Sequence, residues 1–187
     1  MTTKKSPSKL ISFHQKLADK AFSYSFIGET QGDLPAGFDG DDRRVYLGEG
    51  QVVFEAAKTA IQTWAMFPKS WTTVYYPFGE IAIGKEVAVA IRLLGCWWHC
   101  GSRIVYILDT DDRYGFAYGT LTRHLEKGEE LFVVEREADG KVYFRIRAFS
   151  KPNYWYVQVA YPFARLMQRR FVRHAFKAML KQTRTAL

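Results

Sequence analysis

The sequence predicts an α+β fold: a curved antiparallel sheet wrapped around a long C-terminal helix. Three observations carry that expectation. After Pro68, apolar residues recur at every second position through six successive runs, the period of half-buried strands. Short turn-forming segments separate the runs, which favours antiparallel neighbours in a meander. The chain then ends on a long amphipathic stretch at helical spacing.

Residues 1–8 are polar and read as a disordered tail. Residues 9–22 have a weak helical period, with Leu10, Phe13, Leu17 and Ala21 on one stripe. Residues 28–42 are rich in Gly, Asp and Pro and read as a loop, and residues 43–47 as a short strand. Residues 48–66 form the first well-marked helix, because Val52, Val53, Ala56, Ala57, Ala60, Ile61 and Trp64 define an apolar face. Pro68 ends it by pushing Phe67 out of helical geometry.

The six strands are expected at 71–76, 85–94, 103–109, 114–120, 130–137 and 141–149. Their separators are PFGE, GCWWHCG, TDDR, a polar loop around His124 and ADG. The final helix is expected over 156–181, with Val159, Phe163, Leu166, Phe171, Ala175 and Met179 inward. Arg165, Arg169, Arg173, Lys177 and Lys181 form its outer stripe. Pro162 falls in the first turns, where a missing amide donor is tolerated.

This order suits a helix-grip arrangement, in which the sheet curves around the last helix and leaves a cavity between them. The short strand before the first helix can complete the sheet. A barrel with an external helix is the second arrangement. A single domain over 1–187 follows, with its helix-grip core at 43–181.

Composition narrows the function classes. Eleven Tyr, fourteen Phe and five Trp are more than a core of this size needs, which favours an apolar cavity or an aromatic contact surface. Two cysteines cannot make a disulfide framework. No secretory signal or membrane-length apolar run is visible, so a reduced cytoplasmic location is expected. Of the 27 basic residues seven lie in 158–187, where no acid occurs, and the other 20 nearly balance the 19 acids.

The runs GETQGDLPAGF at 28–38, RLLG at 92–95 and GFAYGTLxxHxxxGEExFxVE at 115–135 resemble the DUF1990 (UPF0548) family. IRAFSKP at 146–152 and LMQRRF at 166–171 fit it too. The resemblance covers about Ile27 to Ala178. It implies a START/Bet v 1-like helix-grip fold and, by analogy, ligand binding.

Several residues are candidates for chemistry. His124 with Glu129 and Glu130 could form an acid/base group, His124 and Glu130 being the catalytic candidates. Tyr118, Arg92, Arg147, Tyr143 and His124 are the candidate ligand contacts, an arginine suiting a carboxylate or phosphate head group. Alternation puts Val142, Phe144, Ile146 and Ala148 on one strand face and Tyr143, Arg145 and Arg147 on the other, without saying which is concave. Arg165, Arg169, Arg173 and Lys177 are candidate contacts to an anionic partner. Cys96, His99 and Cys100 crowd into one short segment with no second cluster, so no metal is expected. GxGxxG and Walker patterns are absent, and no cofactor is expected.

The expected partner is a hydrophobic or amphipathic small molecule, lipid- or isoprenoid-like. An anionic membrane surface is the second partner class, through the basic helix. Nucleic acid is not expected, because no recognition motif is present.

Overall fold

A computed structural model describes residues 5–122 and 124–185 of the chain. Residues 1–4 of the expected tail lie outside that range. The strands are β1 (Asp39–Glu49), β2 (Thr72–Tyr75), β3 (Glu86–Leu93), β4 (Cys96–Asp109), β5 (Arg113–Thr120), β6 (Glu126–Arg136) and β7 (Lys141–Pro152). The helices are α1 (Pro7–His14), α2 (Gly50–Gln62), α3 (Trp155–Val159) and α4 (Tyr161–Arg184). All strands pair antiparallel in one sheet of order β1-β7-β6-β5-β4-β3-β2. Curved antiparallel sheet plus C-terminal helix is the helix-grip arrangement.

One sheet face carries the main core. Phe116, Phe132, Phe144 and Ile146 meet Val53, Phe54, Ala57 and Ile61 of α2 and Val172, Ala175 and Met179 of α4. Each fully buried Phe contributes about 1.5–3 kcal/mol of apolar transfer. On the opposite face Leu10 of α1 and Leu17 beyond it cover Ala88, Ala90, Trp97 and Leu121. Gly101 admits that cover, since a Cβ there would overlap the Leu17 side chain.

Several boundaries differ from the sequence expectation, each for a local reason. Helix α1 starts at Pro7, with the Ser6 hydroxyl accepting from the Lys9 amide at 3.4 Å. It ends at His14, and Phe22 instead bridges Leu121. Strand β1 reaches back to Asp39 through residues that read as loop. Arginines neutralise those aspartates: Arg145 pairs with Asp42 at 2.5 Å and Arg165 with Asp41 at 2.8 Å. The CWWHC segment is strand, not turn, because Leu94 and Gly95 alone make the hairpin with positive φ (49° and 78°). Two such residues match the twist of the flanking strands.

The expected single C-terminal helix is broken at Ala160. Pro162 cannot donate to Gln158 and its ring crowds that carbonyl, so α4 starts afresh. The inward stripe holds only from Phe171 onward. Val159 and Leu166 are 77% and 55% exposed, and Phe163 is also exposed, because the face that α4 turns to the cavity in its N-terminal half is that of Ala164, Met167 and Gln168.

Candidate functional site

Between the concave sheet face and the N-terminal half of α4 lies a cavity of about 230 Å³. Alternate residues of the strands reach it. Val89, Ile91 and Leu93 come from β3, Tyr118 and Thr120 from β5, and Ile146 and Ala148 from β7. Phe67 and Trp71 close one side, while Met167, Gln168 and Phe171 of α4 form the roof.

The polar end is built mainly from β5, β6 and the turn between them. Tyr118 donates its hydroxyl to Glu130 Oε2 at 2.8 Å. Burial raises the Tyr118 pKa well above its ordinary value, and the neighbouring Glu130 charge adds to this. Burial also pushes Glu130 up to about 7, although the Tyr118 hydrogen bond opposes the rise. Glu126 Oε2 accepts from Gln168 Nε2 at 2.7 Å, and burial raises the Glu126 pKa as well. Gly128 lies between the two carboxylates on the same strand face. A Cβ there would overlap the Phe149 carbonyl, so only glycine lets β6 lie this close to β7.

His124 lines the cavity beside this end. Its Nδ1 lies 2.8 Å from the Glu126 carbonyl oxygen and 3.1 Å from the Glu126 amide nitrogen. Asn153 Nδ2 donates to the His124 carbonyl at 2.9 Å. Burial depresses the His124 pKa to about 4, so the imidazole is neutral at physiological pH. Cys100 also lines the wall, its thiol pushed up to about 12 by burial; Cys96 is likewise a free thiol.

The structure therefore brings together Tyr118, His124 and Glu130, and separates them from the other candidates. Glu129 also borders the cavity, but its carboxyl is turned to the opposite sheet face, because consecutive strand residues point to opposite sides. There it accepts from Tyr24 Oη at 2.7 Å, Gly28 N at 2.8 Å, Thr30 N at 3.1 Å and the Thr30 hydroxyl.

Arg92, Arg147 and Tyr143 fall outside the cavity lining. Arg92 is exposed on the face that α1 covers further along β3. Arg147 donates to the Gly32 carbonyl at 2.6 Å and pairs with Asp42 at 3.5 Å. Tyr143 packs beside Tyr46 and under Arg44. The arginines expected to meet a carboxylate or phosphate thus lie away from the cavity; the arginine that lines it is Arg43, paired with Asp41 at 3.2 Å, and acids outnumber it there.

On α4, Arg165 turns toward the cavity rim and pairs with Asp41, while its Nη1 also donates to Gln168 Oε1 at 2.7 Å. It does not belong to an outer basic stripe. Arg169, Arg173 and Lys177 are exposed, and no ion pair to them occurs among the described residues.

Sequence reasoning missed Glu126, Gln168, Trp71 and the Asp41–Arg165 rim. One signal was available for Glu126: it shares strand parity with Glu130. Among the described residues no group of three His, Cys, Asp or Glu is placed to hold a metal. No helix among them is long and apolar enough to cross a membrane.

Comparison with known proteins bears on both fold and family. Residues 23–178 match DUF1990, described as a domain of unknown function. A UPF0548 protein of Dictyostelium discoideum is 37% identical over 156 residues, covering 77% of this chain and 72% of that protein. A UPF0548 protein of Deinococcus radiodurans is 34% identical over 189 aligned residues, with 94% of each chain covered. Among solved structures, a START superfamily protein from Mycobacterium smegmatis aligns with TM-score 0.56 at 11% identity, covering 81% of this chain and 100% of that one. Ara h 8.0201 aligns with TM-score 0.52 at 13% identity, covering 80% and 99%. At such identities these structures speak to the fold alone, which is START/Bet v 1-like.

Proposed function

The chain belongs to the DUF1990 family, and from that premise we propose that it binds a hydrophobic or amphipathic small molecule between the sheet and α4. The observation that carries this reading is the cavity of about 230 Å³, walled mainly by aliphatic and aromatic side chains and polar at one end. Such a concave, mostly apolar space with a few converging polar groups is the usual form of a small-molecule site. Tyr118 and His124 are the contacts assigned to the ligand's polar end, and a lipid- or isoprenoid-like body fits the apolar wall. A cytoplasmic location belongs to the same proposal, with which the free thiols of Cys96 and Cys100 are compatible.

The acid/base alternative, with His124 and Glu130 as a pair, has weaker support. No hydrogen bond joins the two side chains among the described residues, and His124 Nδ1 is held by its own turn. Binding without catalysis accounts for the same arrangement.

The test uses a neutral fluorescent probe, N-phenyl-1-naphthylamine, with the purified protein. Saturable one-to-one binding is expected, and Ala148→Trp should weaken it at least about tenfold by filling the space between β7 and α4. Equal affinity in that variant, with its fold retained by circular dichroism, would move the probe elsewhere and refute the reading.

A second reading has its own observation, the exposed Arg169, Arg173 and Lys177 without ion pairs among the described residues. If this face meets an anionic bilayer, sedimentation with phosphatidylglycerol vesicles should be strong at low salt. It should fall steeply toward about 0.15 M, where the Debye length is about 8 Å. An Arg169→Glu/Arg173→Glu variant that sediments as well as the unaltered chain would exclude this face.

A further inference from the structure

The cavity's chemistry is more selective than its apolar walls suggest. Glu126 and Glu130 both face it from β6, four residues apart and therefore on one strand face. Their polar partners are all neutral: Tyr118 donates to Glu130 at 2.8 Å, and Gln168 to Glu126 at 2.7 Å. Among the described residues neither carboxyl has a Lys or Arg within ion-pair distance. At the rim Arg165 and Arg43 both pair with Asp41, at 2.8 and 3.2 Å, and the Arg165 charge only partly offsets the effect of burial on Glu126. His124, the remaining basic group in the wall, is held uncharged by burial.

Asp39 and Asp41 stand at the same rim, where Arg43 and Arg165 offset them, so the acids without a cationic partner are Glu126 and Glu130. A carboxylate removed from water without a cation is costly, and the cost falls when a cation arrives. Aromatic rings complete the environment. Phe67, Trp71, Phe171 and Tyr118 line the cavity, and the π-faces of such rings attract a cationic head group.

Resting on the cavity-binding reading, we infer that the ligand is a cationic amphiphile, whose protonated amine sits between the Glu130 and Glu126 carboxyl groups while its apolar chain lies against β3 and α4. The ammonium N–H groups donate to the carboxylate oxygens that Tyr118 and Gln168 leave free. Tyr118 and Gln168 hold the two acids in place and are positioning residues. A fatty acid or phosphate ester would bring like charge to this end and is disfavoured.

The test compares octylamine, octanol and octanoate, which share one chain and differ in head group, by calorimetric titration near pH 7.5. The expected order is amine, alcohol, carboxylate, with the amine at least about tenfold tighter than the alcohol. A Glu126→Gln/Glu130→Gln variant should lose that advantage and hold octanol within about twofold of the unaltered chain. Each single substitution serves as a control, because glutamine keeps the shape of glutamate. Octanol bound with octanoate equal to or tighter than octylamine would overturn the cation inference and leave the cavity reading standing. An amine advantage that persists in the double variant would also overturn it, by placing the cation elsewhere. Failure of all three ligands to bind would overturn both.

Discussion

A Glu129→Ala variant is expected to lose about 3–5 kcal/mol of folding stability, because several donors would lose their acceptor and each one left buried and unsatisfied costs about 1–3 kcal/mol. Glu129 is 2% exposed and takes four hydrogen bonds, from the Tyr24 hydroxyl, the Gly28 amide, and the amide and hydroxyl of Thr30. Thr30 is also 2.8 Å from the Tyr106 hydroxyl, so the loss would spread to a second tyrosine. Alanine would leave buried donors without an acceptor. Glu129→Gln should cost less, since one oxygen remains, although the new amide would face donors. Urea unfolding measures both. A loss under about 1 kcal/mol for the alanine variant would mean that Tyr24 and Phe38 packing on Phe149, not the carboxylate, holds this loop to the sheet.

That network shows why Glu129 and Glu130 look like one group in the sequence. Adjacent acids in a polar segment with a glycine resemble a loop, where both side chains could turn to the same target. In the fold β6 begins at Glu126, and strand alternation then sends the two acids to opposite faces. The strand extends so far because Gly128 fits against the Phe149 carbonyl and donates its amide to Thr120 Oγ1 at 2.9 Å. That is a long-range fact which no local pattern carries. The same holds for Arg147 and Tyr143. Alternation along β7 was legible, but the choice of concave face was not. Register with β1 sets Asp42 opposite Arg147 and Arg44 opposite Arg145 on the outer face, and β1 itself was hidden in a run of Gly and Asp.

What survived best was the order of elements. Period-two runs, their short turns and the closing basic helix do not depend on distant contacts, and they specified the sheet-around-helix arrangement. Side-chain roles depended on which strand lay beside which. The cavity's acidity followed from neither composition nor motif, because Glu126 and Glu130 are two of nineteen acids in a chain of net charge +8.

His124 and Glu130 together should make this part of the molecule nearly indifferent to pH, and single substitutions should expose opposite slopes. The Glu130 pKa is raised from 4.5 to about 7 by burial, so on its own this group makes stability fall as pH rises from 4.5 to 7. The unfolded chain loses that proton first. The His124 pKa is lowered from 6.5 to about 4, so on its own this group makes stability fall as pH drops from 6.5 to 4. Here the unfolded chain gains the proton first. Between 4.5 and 6.5 the folded state keeps the Glu130 proton while the unfolded state carries one on histidine. Each state then binds one proton at the pair, and the slopes cancel. Each isolated effect is about 3 kcal/mol, from a shift of about 2.5 pH units at 1.36 kcal/mol per unit. Urea unfolding across pH 4–8 should show Glu130→Gln losing stability toward acid and His124→Asn losing it toward neutral pH, each relative to the double variant. The double variant supplies the background from all other groups. Parallel profiles for all three proteins would mean that neither side chain is desolvated in the folded chain, and the polar end of the cavity would then be open to bulk water.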